Sequence, residues 1–222
     1  MLNKTIIIPA FNEEQGIKAV IDRCKKICEK GDEILVVDDG SKDKTYEIAK
    51  KTGVTVVKHP QNRGKAFALK TGFENAKNDI VVTIDADCTY PPEYIPEMMK
   101  YLKDYDIVVG SRFKNGIPKG LPIHRGLANI MGAQFTSILL RRKLTDITSG
   151  LRAFRKELIK NCPIRAKGLD FEAELTARAI TRGYKYKEIP IIYEERAGQS
   201  KLKFFNHIAK FTIAILRGKF QN

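Results

Sequence analysis

The chain has 222 residues, enough for one large domain or one domain with a short appendage. Hydrophobic residues make up 43% and charged residues 30%, which excludes a disordered, collagen-like or disulfide-scaffold protein. Lysines and arginines outnumber acidic residues 40 to 26, a formal net charge of +14 that points to anionic partners: nucleic acid, an anionic membrane surface or phosphate-bearing substrates.

In chain order, the first half alternates strand-like and helix-like segments. Thr5-Ile6-Ile7-Ile8 is a short apolar strand that Pro9 is expected to stop. Between Glu13 and Lys30, Ile17, Val20, Ile21, Cys24 and Ile27 recur at helical spacing, and Gly31 closes the pattern. Strands are predicted over 33–37, 54–57, 79–84 and 106–109, and helices over 44–51, 64–76 and 92–103. Strands apolar on both faces and separated by amphipathic helices indicate a parallel sheet covered on both sides. After Gly110 the rhythm changes. Long helices are predicted over 125–141 and 172–182, a strand over 187–193, and an amphipathic tail from Lys203 to Leu216. No repeat or low-complexity linker interrupts the chain, so one domain over 1–202 with an extension over 203–222 is expected.

Cys24, Cys28, Cys88 and Cys162 show no CxxC spacing and no clustered histidine accompanies them, which disfavours zinc and fits a reducing, cytoplasmic setting. No run of 18 apolar residues is present, so no span of a bilayer is expected.

In parallel sheets ligands bind beyond the carboxyl ends of the strands. The first strand leads into Pro9-Ala10-Phe11-Asn12-Glu13, the second into Asp38-Asp39-Gly40-Ser41, the fourth into Asp85-Ala86-Asp87. Helix capping accounts for part of Asn12 and Ser41. It does not account for two carboxylates closing an apolar strand, which repel unless a cation lies between them. Hard carboxylates suit Mg²⁺ or Mn²⁺, and a basic protein with such an edge suits a phosphate-bearing substrate. Neither GxGxxG nor GxxxxGK[ST] occurs, which disfavours a dehydrogenase and a P-loop NTPase.

Together with these strand ends, Asn62-Arg63-Gly64-Lys65-Ala66, Gly110-Ser111-Arg112, 146–154 (DITSGLRAF), Ile189-Pro190-Ile191 and 196–201 (RAGQSK) carry a resemblance over nearly the whole chain. It resembles the inverting, family 2 glycosyltransferases of GT-A type, in particular dolichol-phosphate mannose synthases and other polyprenyl-phosphate glycosyltransferases. The implied fold is α/β: a Rossmann-like, mostly parallel sheet with helices on both faces, plus a C-terminal amphipathic helix. The implied reaction moves a sugar, mannose from GDP-mannose first, from a nucleotide-diphosphate sugar to dolichyl or polyprenyl phosphate with inversion. By position, Pro9, Phe11, Glu13, Val37 and Asp39 would line the nucleotide pocket. Asp85, Ala86 and Asp87 would face the diphosphate, with Asp85 and Asp87 holding the metal. Thr89 falls where the family usually has a glutamine and would be the third metal ligand, through a shorter, neutral oxygen or by way of a water. Arg112 would bind the acceptor phosphate, with Arg125 and Asn129 beside it, Asn129 standing at a family serine. Arg196 and Lys201, and with less support Lys167, would close over the donor diphosphate. Asp87 and Arg112 would carry catalysis. Arg152 is expected to be structural, paired with a carboxylate such as Asp146.

A phosphate monoester is already a nucleophile at pH 7, so no strong general base is required. This agrees with motifs that contain no histidine; His59, His124 and His207 are read as incidental. The tail from Lys203 to Phe211 suits an interfacial helix with basic anchors, and the helix carrying Leu127, Ile130, Met131, Phe135, Ile138 and Leu139 suits the same use. The alternative is that both pack on the core. Peripheral attachment to the inner face of the membrane is implied, directly or through a membrane-anchoring partner subunit. A UDP-sugar donor (glucose or an N-acetylhexosamine) remains an alternative, since the base pocket does not separate guanine from uracil. A processive polysaccharide synthase would need QxxRW, and the chain has no tryptophan. A nucleic-acid-binding module would interleave basic and aromatic residues or show a known motif, and neither is present, so no nucleic acid is expected as partner.

Overall fold

The structure, a computed structural model, describes residues 2–168, 170–198 and 205–220. Seven strands form one sheet: β1 Lys4–Ala10, β2 Glu33–Asp38, β3 Thr55–Lys58, β4 Ile80–Thr83, β5 Ile107–Ser111, β6 Arg152–Arg155 and β7 Tyr186–Pro190. Their order is β3-β2-β1-β4-β6-β5-β7, parallel throughout except for β6, which runs against both β4 and β5. Among the described residues, eight helices connect or flank them: α1 Ile17–Ile27, α2 Thr45–Lys51, α3 Lys65–Asn75, α4 Ile95–Tyr101, α5 Ile123–Leu140, α6 Glu157–Asn161, α7 Phe171–Thr181 and α8 Phe205–Phe220, with a 3-10 turn over Pro92–Tyr94.

Alternate residues of a strand face opposite sides. Ile7, Leu35, Val37 and Val81 join α3 and α7 on one side; Ile6, Ile8, Val36 and Val82 join α1 and α4 on the other. Both sides are buried, which is why these strands read as unbroken apolar runs.

Pro9 does not stop β1, which continues to Ala10. Asp39 N–H donates to the Ala10 carbonyl, so Ala10 faces β2 and Pro9 faces β4, whose last residue is Thr83 paired with Ile7. The proline's missing donor therefore breaks no ladder bond. α1 starts at Ile17, four residues later than the periodicity suggested, because Glu13 to Gly16 form a turn with Gly16 N–H and Ile17 N–H on the Glu13 carbonyl. A Cβ on Gly16 would come within 2.5 Å of the Ala86 carbonyl, so only glycine lets this turn lie on the Asp85-Ala86-Asp87 segment. Asn12 and Ser41 cap no helix. Ser41 Oγ accepts Asn12 N–H at 2.9 Å and Asn12 Oδ1 accepts Lys42 N–H at 2.8 Å, stitching the loops after β1 and β2 together.

β6 and the short α6 were not predicted. α8 packs along α7: Ala214 and Ile215 are buried, a Cβ on Gly218 would meet that of Ala177 at 2.6 Å, and Lys219 Nζ donates to the Leu139 carbonyl at 2.5 Å. Its opposite face leaves Ile213, Leu216 and Phe220 exposed. Among the described residues no helix is long and apolar enough to cross a membrane.

Candidate active site

The ends of β1, β2 and β4, the end of β5 and the segment entering β6 meet at one sheet edge. The site divides into two halves, one built on β1, β2 and β4 and the other on β5, the 145–150 loop and α5, labelled the donor half and the acceptor half for the roles proposed for them.

In the donor half, Asp39 is buried and committed to the chain itself. Its Oδ1 lies 2.7 Å from His59 Nδ1 and accepts Arg63 N–H at 3.0 Å, and its Oδ2 accepts Gly64 N–H at 2.7 Å. A carboxylate on the N–H groups just ahead of α3 lies at the positive end of the helix dipole, which stabilises it. His59 Nε2 is in turn 2.9 Å from Thr71 Oγ1. His59 is thus not incidental but the buried strut of Asp39. Asp38 Oδ1 accepts Ser41 N–H at 3.0 Å and shapes the turn after β2. Pro9 is buried, Phe11 is half-buried, and Val37 and Ala86 belong to the two cores.

The two carboxylates closing β4 each have a basic partner. Lys65 Nζ is 2.6 Å from Asp85 Oδ1 and 2.6 Å from Glu172 Oε1. Burial works against the Lys65 charge, but the two carboxylates outweigh it and hold the ammonium firmly protonated. Arg196 forks, with Nη1 on Asp87 Oδ2 and Nη2 on Glu13 Oε1 at 2.9 Å. Asp87 Oδ1 accepts the Thr89 hydroxyl at 2.6 Å and Thr89 N–H at 3.1 Å. Thr89 therefore orients Asp87. The repulsion that seemed to require a metal is offset here by Lys65 and Arg196. Among the described residues no group of three or more His, Cys, Asp or Glu stands close enough to hold an ion unaided. Two hard carboxylates nevertheless fit Mg²⁺ or Mn²⁺ of the kind that completes its shell with substrate phosphates and water. Lys167 is exposed, with its carbonyl beside Gly64, and Lys201 lies outside the described residues.

Gly150 couples the donor half to β6. Its N–H donates to Tyr90 Oη at 2.9 Å, its carbonyl accepts Thr83 Oγ1 at 2.8 Å, and a Cβ there would lie 2.6–2.7 Å from all three carboxyl atoms of Asp85. Gly150→Ala is expected to turn Asp85 away from Lys65 and lower donor kcat/KM by about 10²-fold. Steady-state kinetics with each substrate varied in turn checks this; a rise confined to the acceptor KM would contradict it.

In the acceptor half, Arg112 is bidentate to Asp146 (Nε–Oδ2 2.7 Å, Nη2–Oδ1 2.8 Å) and donates to Thr148 Oγ1 at 2.9 Å. Burial opposes its charge, and Asp146 more than restores it. The guanidinium also lies 5.6 Å from the centre of the Tyr90 ring. Thr148 Oγ1 donates to Asn129 Oδ1 at 2.8 Å, and Asn129 Nδ2 donates to the Arg125 carbonyl at 2.9 Å. Arg112 and Asn129 are thus linked through Thr148, while the bond from Asn129 to Arg125 is one turn of α5 and uses only the Arg125 backbone. Glu188 holds this loop, accepting Thr145 N–H at 3.0 Å and Asp146 N–H at 3.1 Å. The partner of Asp146 is Arg112, not Arg152. Arg152 is structural but fully buried on neutral oxygens: the carbonyls of Ser149 at 2.7 Å and Ile147 at 2.9 Å, and Thr176 Oγ1 at 2.8 Å. Tyr193 stands between the halves. Burial pushes its phenol above the ordinary value, Arg112 works against that, and Asp87, Arg196 and Arg125 also act on it.

Outward from this network, α5 exposes Ile123, Leu127, Met131, Phe135 and Ile138 along one side. A groove of about 450 Å³ runs between α5 and residues 143–145, lined by Phe113, Ile130, Ala133, Gln134, Ile138 and Leu144 among others.

Lys65, Glu172, His59, Glu188 and Tyr193 were assigned no role from sequence. Only Lys65 had a signal, the Asn62-Arg63-Gly64-Lys65-Ala66 motif.

Residues 5–162 match the model of the family described as "Glycosyl transferase family 2". The chain is 36% identical over 201 residues to a "Dolichyl-phosphate hexose transferase" of Haloferax volcanii, covering 90% of this chain and 86% of that one. It is 32% identical over 210 residues to a "Dolichol-phosphate mannosyltransferase" of Pyrococcus furiosus, covering 90% of this chain and 59% of that one. Among solved structures it is similar to glucosyl-3-phosphoglycerate synthase from Mycobacterium tuberculosis, crystallised with Mn²⁺, UDP and phosphoglyceric acid. The TM-score there is 0.77 at 24% identity, covering 98% of this chain and 77% of that one, a likeness of fold. The chain belongs to glycosyl transferase family 2 and is a glycosyltransferase.

Proposed function

We propose that the protein transfers mannose from GDP-mannose to the phosphate of a dolichyl or polyprenyl phosphate, with inversion and with Mg²⁺ or Mn²⁺, at the cytoplasmic face of the membrane. One observation carries the acceptor assignment. The buried Arg112–Asp146 pair connects through Thr148 to Asn129 on α5, and the same helix turns an apolar stripe outward. A phosphate-binding group at the root of an exposed apolar helix suits an acceptor with an anionic head and an apolar tail. The names of the two relatives support the same acceptor class.

In this reading Arg112, with Arg125 and Asn129 beside it, holds the acceptor phosphate and offsets the cost of bringing two anions together. A phosphate oxygen forms the new bond to the anomeric carbon from the face opposite the leaving group. The bond from that carbon to the diphosphate oxygen breaks, and its electron pair leaves with the nucleoside diphosphate. The acceptor phosphate needs no deprotonation, so no general base is assigned. Asp85 and Asp87 would hold the metal, which stabilises negative charge developing on the diphosphate. Lys65 fixes Asp85, Thr89 fixes Asp87, and Asp39 with His59 sets the loop at the base side of the donor. The stripes on α5 and α8 lie on the membrane surface, with the exposed Arg141 and Lys143 near anionic headgroups, each contributing about 1 kcal/mol.

The test is transfer to phytanyl or dolichyl phosphate from GDP-mannose and UDP-glucose in parallel, with Mn²⁺ or Mg²⁺ and an EDTA control. Metal-dependent lipid product from GDP-mannose is the expected result. Product from UDP-glucose alone keeps the acceptor and replaces the donor. No lipid product, with nucleotide-sugar hydrolysis intact, overturns the acceptor.

A further inference from the structure

The two basic side chains on the β4 carboxylates differ in kind. Lys65 begins a helix and is gripped by Asp85 and Glu172. Arg196 comes from the irregular segment after β7 and spans carboxylates of two different loops, Asp87 and Glu13. Its Nε is buried without a hydrogen-bond partner. The guanidinium is therefore docked with donor capacity unspent, as expected of a group that has a second place to go.

The segment around it is strapped to the site on both sides. Ala197 N–H donates to the Asp87 carbonyl at 2.9 Å, and Glu194 N–H donates to the Thr89 carbonyl at 3.1 Å. Farther out, Arg23 of α1 forks onto Glu93 (2.9 and 2.7 Å) and Glu194 (2.5 and 3.0 Å), fastening the strap's root to the body. Asp87 has one oxygen committed to Thr89 and the other to Arg196. A divalent cation on that second oxygen would set two positive charges against each other at one atom, so the metal and Arg196 compete for it.

We propose that Arg196 is a resident counter-cation that the metal must displace, so that metal binding releases the strap and frees the guanidinium for the diphosphate arriving with the metal. This rests on the metal-dependent donor site proposed above. Metal alone would have to break a two-carboxylate ion pair with nothing to receive the arginine. Nucleotide alone would draw the arginine off and take its counter-charge away from Asp87 and Glu13. Together each removes the other's cost, so metal and donor bind synergistically, and by linkage each raises the other's affinity by the same factor.

The experiment is Mn²⁺ binding to the full chain, followed by the EPR signal of free Mn²⁺, with Mn²⁺ alone and with GDP or UDP present. R196Q is expected to bind Mn²⁺ alone about tenfold or more tighter than wild type, within the usual range of coupling between sites. With nucleotide present that advantage disappears or reverses. Glu13→Gln, which removes one of the two anchors, is expected to move Mn²⁺ affinity the same way by a smaller factor, and it carries the test if R196Q does not fold. In wild type, hydrogen exchange at the Ala197 amide should accelerate when Mn²⁺ and nucleotide are added together. Equal or weaker binding of Mn²⁺ alone by R196Q and E13Q, or an Ala197 amide that stays protected, overturns the exchange and leaves the transfer reaction standing. Failure of every form to bind Mn²⁺ even with nucleotide overturns the metal reading itself and the exchange with it.

Discussion

Asp87→Asn is expected to lower sugar transfer at least about 10³-fold, a loss of about 4 kcal/mol of transition-state stabilisation, while the fold survives. Asparagine has nearly the same shape, and its Oδ1 still accepts the Thr89 hydroxyl and N–H that Asp87 accepts. What it loses is charge and the Oδ2 acceptor of Arg196, and with them a hard anionic ligand for the proposed metal. Arg196 keeps its second carboxylate, Glu13, so no buried guanidinium is stranded. Circular dichroism and the thermal midpoint, read beside the transfer rate, separate the two effects. Turnover like that of wild type in the presence of Mn²⁺ would remove Asp87 from the metal site.

Arg112→Ala should be costly twice over. Asp146 is almost fully buried, and removing its bidentate partner leaves a carboxylate without its counter-charge, a loss of about 3–5 kcal/mol of stability. The second cost falls on the acceptor, whose KM should rise well beyond any change in the donor KM. Arg112→Lys separates the two. It keeps a positive charge near Asp146, but a single ammonium cannot reproduce the fork on Asp146 and Thr148, so more stability than acceptor affinity is retained. An unchanged acceptor KM in both variants, with a raised donor KM, would move Arg112 to the donor side.

The sheet was legible because β1, β2 and β4 are buried on both faces, so burial left a simple apolar signal. β6 was hidden by its own arginines. Arg152 is fully buried only because two carbonyls and Thr176 satisfy its guanidinium, and nothing local announces that arrangement. The candidate carboxylates were legible as strand ends. Their partners were not, because pairing at the edge is set by tertiary approach: Lys65 meets Asp85 across 20 residues and Arg196 meets Asp87 across 109. Asp146 was assigned to Arg152, six residues away, although the arginine that reaches it lies 34 residues earlier. His59 was set aside for want of a motif, yet its two ring nitrogens meet Asp39 and Thr71. Sequence spacing identified the chemistry of the edge more readily than its wiring.

The reversed strand also bears on how the chain is made. β4 forms its second ladder with β6, Ile80 opposite Arg155 and Thr83 opposite Arg152, so nothing completes the sheet on that side until the ribosome has added some seventy further residues, about 4–14 s at ordinary elongation rates. Through that interval the emerged β1–β4 unit carries an open apolar edge, Ile80-Val81-Val82-Thr83, with unpaired backbone donors and acceptors. The nascent chain is therefore most prone to wrong pairing after its β1–β4 half has formed and before β6 arrives. Closing that edge is the same event that brings Gly150 against Asp85.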